Sequence, residues 1–312
     1  MAAHDAFADG NLIMSDPAPA APVVPPLDPR LNAYRPDLAD ERLQGRVQAT
    51  RFVAGWRAQV GRAVIPMRSQ PHVKAGLVNE ALLGERLRAF EIADGWAFVQ
   101  LERDGYVGYA PAEALLLEIS EPTHRVQAVG TFVYPDPDIK SPPLMHVPLG
   151  SELLVVAGDE RFQRLSPNGY VIARHVVPKD QFNRDFVEVA ERFIGVPYLW
   201  GGRTRIGLDC SGLLQIALEA AGQKAPRDSD MQQAALGTVI PNPDDLETLE
   251  RGDLVFWPGH VGVMVDVALL LHANAHHMAV AVEPLSAASE RIAKTGVKIT
   301  AIKRIARTQG PT

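Results

Sequence analysis

The only cysteine among 312 residues stands in the run Gly207-Leu208-Asp209-Cys210-Ser211-Gly212, where a loop becomes a helix. Beyond it Leu213, Leu214, Ala217, Leu218 and Ala221 recur at helical spacing, and Gly222 supplies a stop. Asp209 is placed to cap that helix, which leaves Cys210 in its first turn. There the unpaired N–H groups and the positive end of the helix dipole favour a thiolate. The charge of Asp209 works against this, so a cationic partner is expected. A lone cysteine is more often buried and inert, and it is the histidines further along that change the balance. His260 opens an apolar run after Pro258-Gly259. Strand alternation sets His260, Gly262 and Met264 on one face and Val261, Val263 and Val265 on the other, the core face. A thiol with an imidazole near it in space is a nucleophile with its base, the pair that acyl transfer needs. His272, in the next strand-like run, is positioned to fix the tautomer and tilt of His260. By spacing alone His276 or His277 serves as well. The same histidines would permit zinc, but neither a second cysteine nor a His-Glu-x-x-His motif accompanies them, and no metal or other cofactor is expected.

The elements that must hold these residues divide into two kinds. After Pro178, Phe186, Val189, Ala190, Phe193 and Ile194 mark an amphipathic helix ending at Gly195. The cysteine helix follows, then strands at 253–257, 260–266, 269–274, 278–283 and 297–305. Helices first and an antiparallel sheet after them describe an α+β domain. From about Val60 to Pro178 the chain reads instead as short strands, and two stretches echo each other. Leu83-Gly84-Glu85-Arg86-Leu87, Trp96 and Asp104-Gly105-Tyr106-Val107 correspond to Leu149-Gly150-Ser151-Glu152-Leu153, Phe162 and Asn168-Gly169-Tyr170-Val171. Asp-Gly and Asn-Gly are favoured hairpin turns, and a period of about 65 residues reads as two small β-barrels in tandem. Residues 37–60 are mixed, with weak helical character at 38–43. Six prolines between Pro17 and Pro29 mark an extended arm.

Bulk properties narrow the function classes. A hydrophobic fraction of 46% and a charged fraction of 22% are those of a globular protein. A net charge of −6 without a long Lys/Arg block argues against nucleic acid as the main partner. No apolar stretch approaches a membrane span, so no membrane partner is expected. One cysteine forms no intrachain disulfide. The start has neither a basic region nor an apolar run of signal-peptide length, which makes cytoplasm the expected compartment and Met14 an alternative start.

In order, Tyr198-Leu199-Trp200-Gly201-Gly202, Asp209-Cys210-Ser211-Gly212, Gly252-Asp253-Leu254-Val255-Phe256, His260-Val261-Gly262 and Leu271-His272-Ala273 are landmarks. Residues 184–305 that carry them resemble the NlpC family of bacterial papain-like cysteine peptidases, and each barrel resembles a bacterial SH3 domain. The resemblance implies Cys210 as nucleophile, His260 as base, His272 as the residue that orients it, and Tyr198 as a wall of the site. Two barrels ahead of the peptidase resemble the members that cleave γ-D-glutamyl–diamino acid bonds in murein peptides with a free N-terminal L-alanine. That likeness implies Asp209, Ser211, Arg227, Asp228 and Ser229 as substrate-binding residues, with Tyr106 of the first barrel closing the groove. It implies an ammonium partner in Asp209 and carboxylate donors in Ser211 and Ser229. The short Trp257-Pro258-Gly259 approach to His260 departs from the common pattern. The expected architecture is a leader over 1–36, SH3-like barrels over 37–120 and 121–178, and an α+β papain-like peptidase over 179–307. A wall-peptide-binding protein without turnover is the alternative from another class. An amidase or acyltransferase of the same fold is a second alternative.

Overall fold

The computed structural model describes residues 26–241 and 248–306. Met14 and most of the proline-rich arm lie outside the described residues. Residues 28–36, expected to belong to a loose leader, are instead built into the molecule. Tyr34–Arg35 pairs with Leu38–Asp40, which continues onto Phe52–Val53. The physical reason is a small apolar cluster, in which Ala33 and Leu38 are buried with Phe90, Phe98 and Val107 of the following sheet. The helical character expected at 38–43 is likewise overturned. A buried strand takes 38–40, and a single 3-10 turn follows at Glu41–Leu43, capped by Asp40.

The first β unit is a seven-stranded antiparallel sheet, in which Trp56–Val60, Arg86–Ala93, Trp96–Leu101, Val107–Pro111, Val64–Arg68 and Leu77–Leu82 are neighbours in that order. Its inward side chains, among them Val60, Met67, Leu87, Val99, Leu101 and Tyr106, form one core. The second β unit divides its strands between a five-stranded and a three-stranded sheet around Val126, Val133, Val147 and Val171. The repeated segments occupy equivalent places. In each unit a strand beginning at Trp96 or Phe162 leads through an Asp-Gly or Asn-Gly turn to the next strand, then to a 3-10 turn and a last strand. Gly105 and Gly169 have φ of 76° and 101° in those turns, the left-handed region that favours glycine.

The C-terminal part begins with the helix α1 (Phe186–Glu191), followed by α2 (Cys210–Ala220), α3 (Ser229–Ala235) and α4 (Leu285–Ala293). A six-stranded antiparallel sheet runs in the order Thr238–Val239, Ala301–Arg304, Leu254–Trp257, His260–Met264, Leu269–Asn274, Ala279–Pro284. The sequence pattern misses α3 and α4, and the last strand is shorter than the expected 297–305. One sheet face packs Val261, Val263, Leu271, Ala273 and Val280 against α1 and α2. This is the face that alternation assigned to the core. The other face is covered too: Met264, Leu270, Val255 and Ile302 meet Leu285 and Ala288 of α4. The histidine face is therefore packed beyond its first residue. Among the described residues no helix is long and apolar enough to cross a membrane.

Candidate active site

Helix α2 is buried along most of its length, which fixes its N-terminus in space. Asp209 caps it by accepting from the N–H of Gly212 at 2.7 Å. Cys210 is the first helical residue and is 8% exposed. The backbone N–H groups of Val261 and Ser211 favour its thiolate, so its sulfur lies near the residue that follows His260. The N–H of Cys210 itself has no acceptor among the described residues, as the first N–H groups of a helix do not. Tyr198 flanks this point, and burial together with the thiol pushes its hydroxyl up to about 12.

His260 is the first residue of an interior strand, so it stands at one end of the sheet. Its Nε2 is 2.8 Å from Nδ1 of His272, and Nε2 of His272 is 2.8 Å from Glu283 Oε1. Gly262 lets the neighbouring strand pack close, because a Cβ there would meet Leu270 Cδ1 at 2.7 Å and His272 Cβ at 3.2 Å. Arg291 of α4 holds Glu283 through two bonds of 2.6 and 2.7 Å, and this contact first, then the His272 bond, lowers the Glu283 carboxyl to about 2. An ionised Glu283 can only accept, so His272 presents Nε2–H to it. The bare Nδ1 of His272 then accepts from Nε2–H of His260, which leaves Nδ1 of His260 as the proton acceptor. Glu283 and Arg291 thereby set the tautomer of a residue two steps away.

Burial pushes the Cys210 thiol up to about 12, and Asp209 adds to the effect. Burial and the neighbouring His272 bring His260 down to about 3. Both shifts favour thiol and neutral imidazole over the thiolate expected from the helix dipole. Burial, with Asp209 opposing the dipole, is the reason. A thiol with a neutral imidazole can do acyl transfer if the imidazole acts as general base.

The expected substrate-binding residues separate into two groups. Asp209 accepts from Gly201 N–H at 2.8 Å, from Gly212 N–H, and from Arg227 through Nη1 at 2.9 Å and Nη2 at 2.7 Å. Arg227, 1% exposed, also reaches Ser211 Oγ at 3.0 Å and Asn79 Oδ1 at 3.0 Å. Asp209, Ser211 and Arg227 thus brace the cysteine loop against the first β unit. Five donors surround the Asp209 carboxylate, the Ser211 hydroxyl at 3.3 Å among them, which leaves it little capacity for the expected ammonium. Ser211, 5% exposed and enclosed by the same pair, is not presented as a free donor.

Asp228 and Ser229 begin α3 and are half-buried. Asp228 does not cap its helix. It accepts from the hydroxyl of Tyr106 at 3.2 Å and from Arg30 at 2.8 Å. Burial raises the Asp228 carboxyl, while Arg227 and Arg30 oppose the shift. Tyr106, 4% exposed, is held by the barrel core, and its own N–H is fixed by Asp104 at 3.0 Å. Arg30 lies in the segment expected to be a leader and also grips Asp28 and Asp230. Glu80, beside Asn79, receives the backbone N–H of Arg203 at 2.7 Å, and burial raises its carboxyl. Arg30, Asn79, Glu80, Glu283 and Arg291 are absent from the sequence reading. Only Glu283 had a signal there, as an acid on the strand next to His272. Asp253, one of the sequence landmarks, is structural, since its carboxylate pairs with Arg304 and accepts from Glu250 N–H.

Comparison with known proteins finds two families along the chain. Residues 195–296 match the NlpC/P60 family, and residues 67–115 match the bacterial dipeptidyl-peptidase Sh3 domain. Dipeptidyl-peptidase 6 of Lysinibacillus sphaericus is 27% identical over 233 residues, 66% of this chain and 83% of that protein. The γ-D-glutamyl-L-lysine dipeptidyl-peptidase of Bacillus cereus is 24% identical over 242 residues, 67% of this chain and 71% of its own length. The crystal structure of an NlpC/P60 family protein from Bacillus cereus superposes with a TM-score of 0.68 at 18% identity, covering 80% of this chain and 99% of that one. The chain therefore carries an SH3-like domain followed by a cysteine peptidase domain of the NlpC/P60 family.

Proposed function

We propose that the protein is a cysteine endopeptidase that hydrolyses the bond between γ-D-glutamate and a diamino acid in cell-wall peptides with a free N-terminal L-alanine. The observation that carries this is the convergence of two parts of the chain on one cleft. Cys210, near the backbone of the residue that follows His260, supplies the nucleophile of acyl transfer, and Tyr106 of the SH3-like domain meets Asp228 of the peptidase domain. The names of the two relatives supply the bond type.

In the reaction the Cys210 proton passes to Nδ1 of His260 as the sulfur attacks the γ-carbonyl carbon. The N–H of Cys210 and the Tyr198 hydroxyl face the developing oxyanion. The C–N bond then breaks as His260 returns its proton to the departing amine. Water, deprotonated by His260, attacks the thioester and releases the γ-glutamyl product with the thiol restored. Asp228 and Tyr106 receive the substrate ammonium in place of Asp209, and Ser229 remains the donor for the α-carboxylate of D-glutamate. Arg227, Asp209 and Ser211 hold the loop that presents Cys210.

The finer architecture belongs to the same reading: two SH3-like barrels near 37–120 and 121–178, and a papain-like catalytic domain over 179–307. The repeated strand order supports the second barrel, and a nucleophile at the start of a helix packed on an antiparallel sheet supports the papain-like arrangement. A cytoplasmic location is compatible with a fold that uses no disulfide, and cell fractionation tests it. The reaction is tested by incubating the protein with L-Ala-γ-D-Glu-diamino acid peptides and identifying products by mass. L-Ala-D-Glu and the diamino acid fragment should appear with wild-type protein and not with Cys210→Ala. Turnover by Cys210→Ala, or release of L-alanine alone, would defeat the assignment.

A further inference from the structure

Away from the cleft, a cavity of about 470 Å³ opens where the two β units and the C-terminal domain meet. Its size falls within the range of small-molecule sites. Leu149, Phe182, Ile216 and Ala220 give it an apolar floor, and the remaining walls are charged. Most of those charges satisfy one another. Glu219 is held by Arg103 and Arg203, while Glu121 is held by Arg86 and Lys179. Three are not satisfied in this way. Arg125 is 8% exposed, yet among the described residues no carboxylate pairs with it. Its guanidinium donates to the carbonyls of Gln181 and Ala220 and stacks 4.8 Å over Phe182, and its Nε has no partner. Glu152, on the neighbouring strand, has no side-chain hydrogen bond among the described residues.

These two residues are direct cross-strand partners in an antiparallel ladder. Opposite charges in that relation stand on the same face within pairing reach and ordinarily close on each other. Here both line the cavity and remain apart. Lys224, in the loop beyond α2, adds a second cation to the wall without a carboxylate partner among the described residues.

We propose that this cavity is a binding site for a small zwitterion, an amino acid or short peptide with an apolar side chain, whose carboxylate lies on Arg125 and Lys224 and whose ammonium lies on Glu152. The apolar floor takes the side chain. The site is separate from the catalytic cleft, and its occupancy does not depend on the reaction proposed above. Glu152 also supplies a signature. Burial, with Glu85 beside it, pushes its carboxyl up to about 7 against the pull of Arg86 and Lys179, and Glu121 adds to the rise. An ammonium placed on it draws that value down, so binding near neutral pH releases a proton.

The test is isothermal titration of the full-length Cys210→Ala protein with L-leucine, with the dipeptide L-Ala-L-Leu, and with N-acetyl-L-leucine amide, which lacks both charges. Saturable binding at about millimolar or tighter affinity is expected for L-leucine, for the dipeptide, or for both, the two arms separating a free amino acid from a peptide ligand. The amide should not bind. Glu152→Gln and Arg125→Gln should each weaken binding about tenfold or more, whereas Asp228→Asn in the cleft should leave it unchanged. Titration in two buffers of different ionisation enthalpy should show proton release in the parent and none in Glu152→Gln. Because Arg125 also ties two parts of the chain together, Glu152→Gln decides the matter if Arg125→Gln does not fold. Binding of neither zwitterion, equal binding of the amide, or binding indifferent to Glu152→Gln would overturn the proposal.

Discussion

Replacing Asp228 by Asn should abolish most of the enzyme's preference for a free N-terminus. In the structure the Asp228 carboxylate faces the Tyr106 hydroxyl at 3.2 Å, and its side chain is 24% exposed. A charge-assisted hydrogen bond from a substrate ammonium to such a group is worth about 1.5–3 kcal/mol. Partial exposure and competition from Arg30 at 2.8 Å put the effect in the lower half of that range, about 1.5–2 kcal/mol. That corresponds to roughly 10- to 30-fold in kcat/KM. The assay compares L-Ala-γ-D-Glu-diamino acid with its N-acetylated form by initial rates. Wild-type protein should favour the free peptide by at least that factor, and Asp228→Asn should lose it with little change on the acetylated peptide. An unchanged preference in Asp228→Asn, with its loss in a folded Asp209→Asn protein, would show that the buried aspartate binds the ammonium after all and that the geometric argument is wrong.

Cys210→Ser should reduce turnover to background while melting within a few degrees of the parent, which calorimetry and the peptide assay read together. Glu283→Gln removes the charge that fixes the tautomer of His272, so kcat should fall about 10- to 100-fold with KM nearly constant. Loss confined to KM would refute that chain of hydrogen bonds. Because burial raises the Cys210 thiol and lowers His260, alkylation by iodoacetamide should climb about tenfold per pH unit through neutrality. A plateau from about pH 5 to 8 would reveal a resting thiolate–imidazolium pair instead. Asp209→Ala leaves Arg227 charged, buried and unpaired and should cost about 3–5 kcal/mol of stability, measured by denaturant unfolding.

The sequence by itself determined the local parts of the site. A capping aspartate, a cysteine and an apolar helix repeat are properties of consecutive residues. They placed Cys210 at a helix start, and alternation placed Val261 and Val263 in the core. The repeat of Leu83–Val107 in Leu149–Val171 likewise made two related β units legible, because hairpin turns are written in dipeptides. What only the tertiary structure decided is how polar groups distant in the chain are shared. Asp209 carries the same charge whether it faces a substrate or Arg227. Eighteen residues separate the pair, and folding alone brings them together. Three strands and a helix meet to line up Glu283, Arg291, His272 and His260, so the tautomer of the base was invisible in the spacing. Arg30 was hidden most completely. Its segment has the composition of a loose arm, and contacts distant in the chain give it a fixed place: its carbonyl accepts from Val107 N–H, and its guanidinium meets Asp228 and Asp230, about 200 residues away. Periodicity reports which face of an element is buried. Which buried charge answers which depends on the meeting of faces that periodicity does not describe.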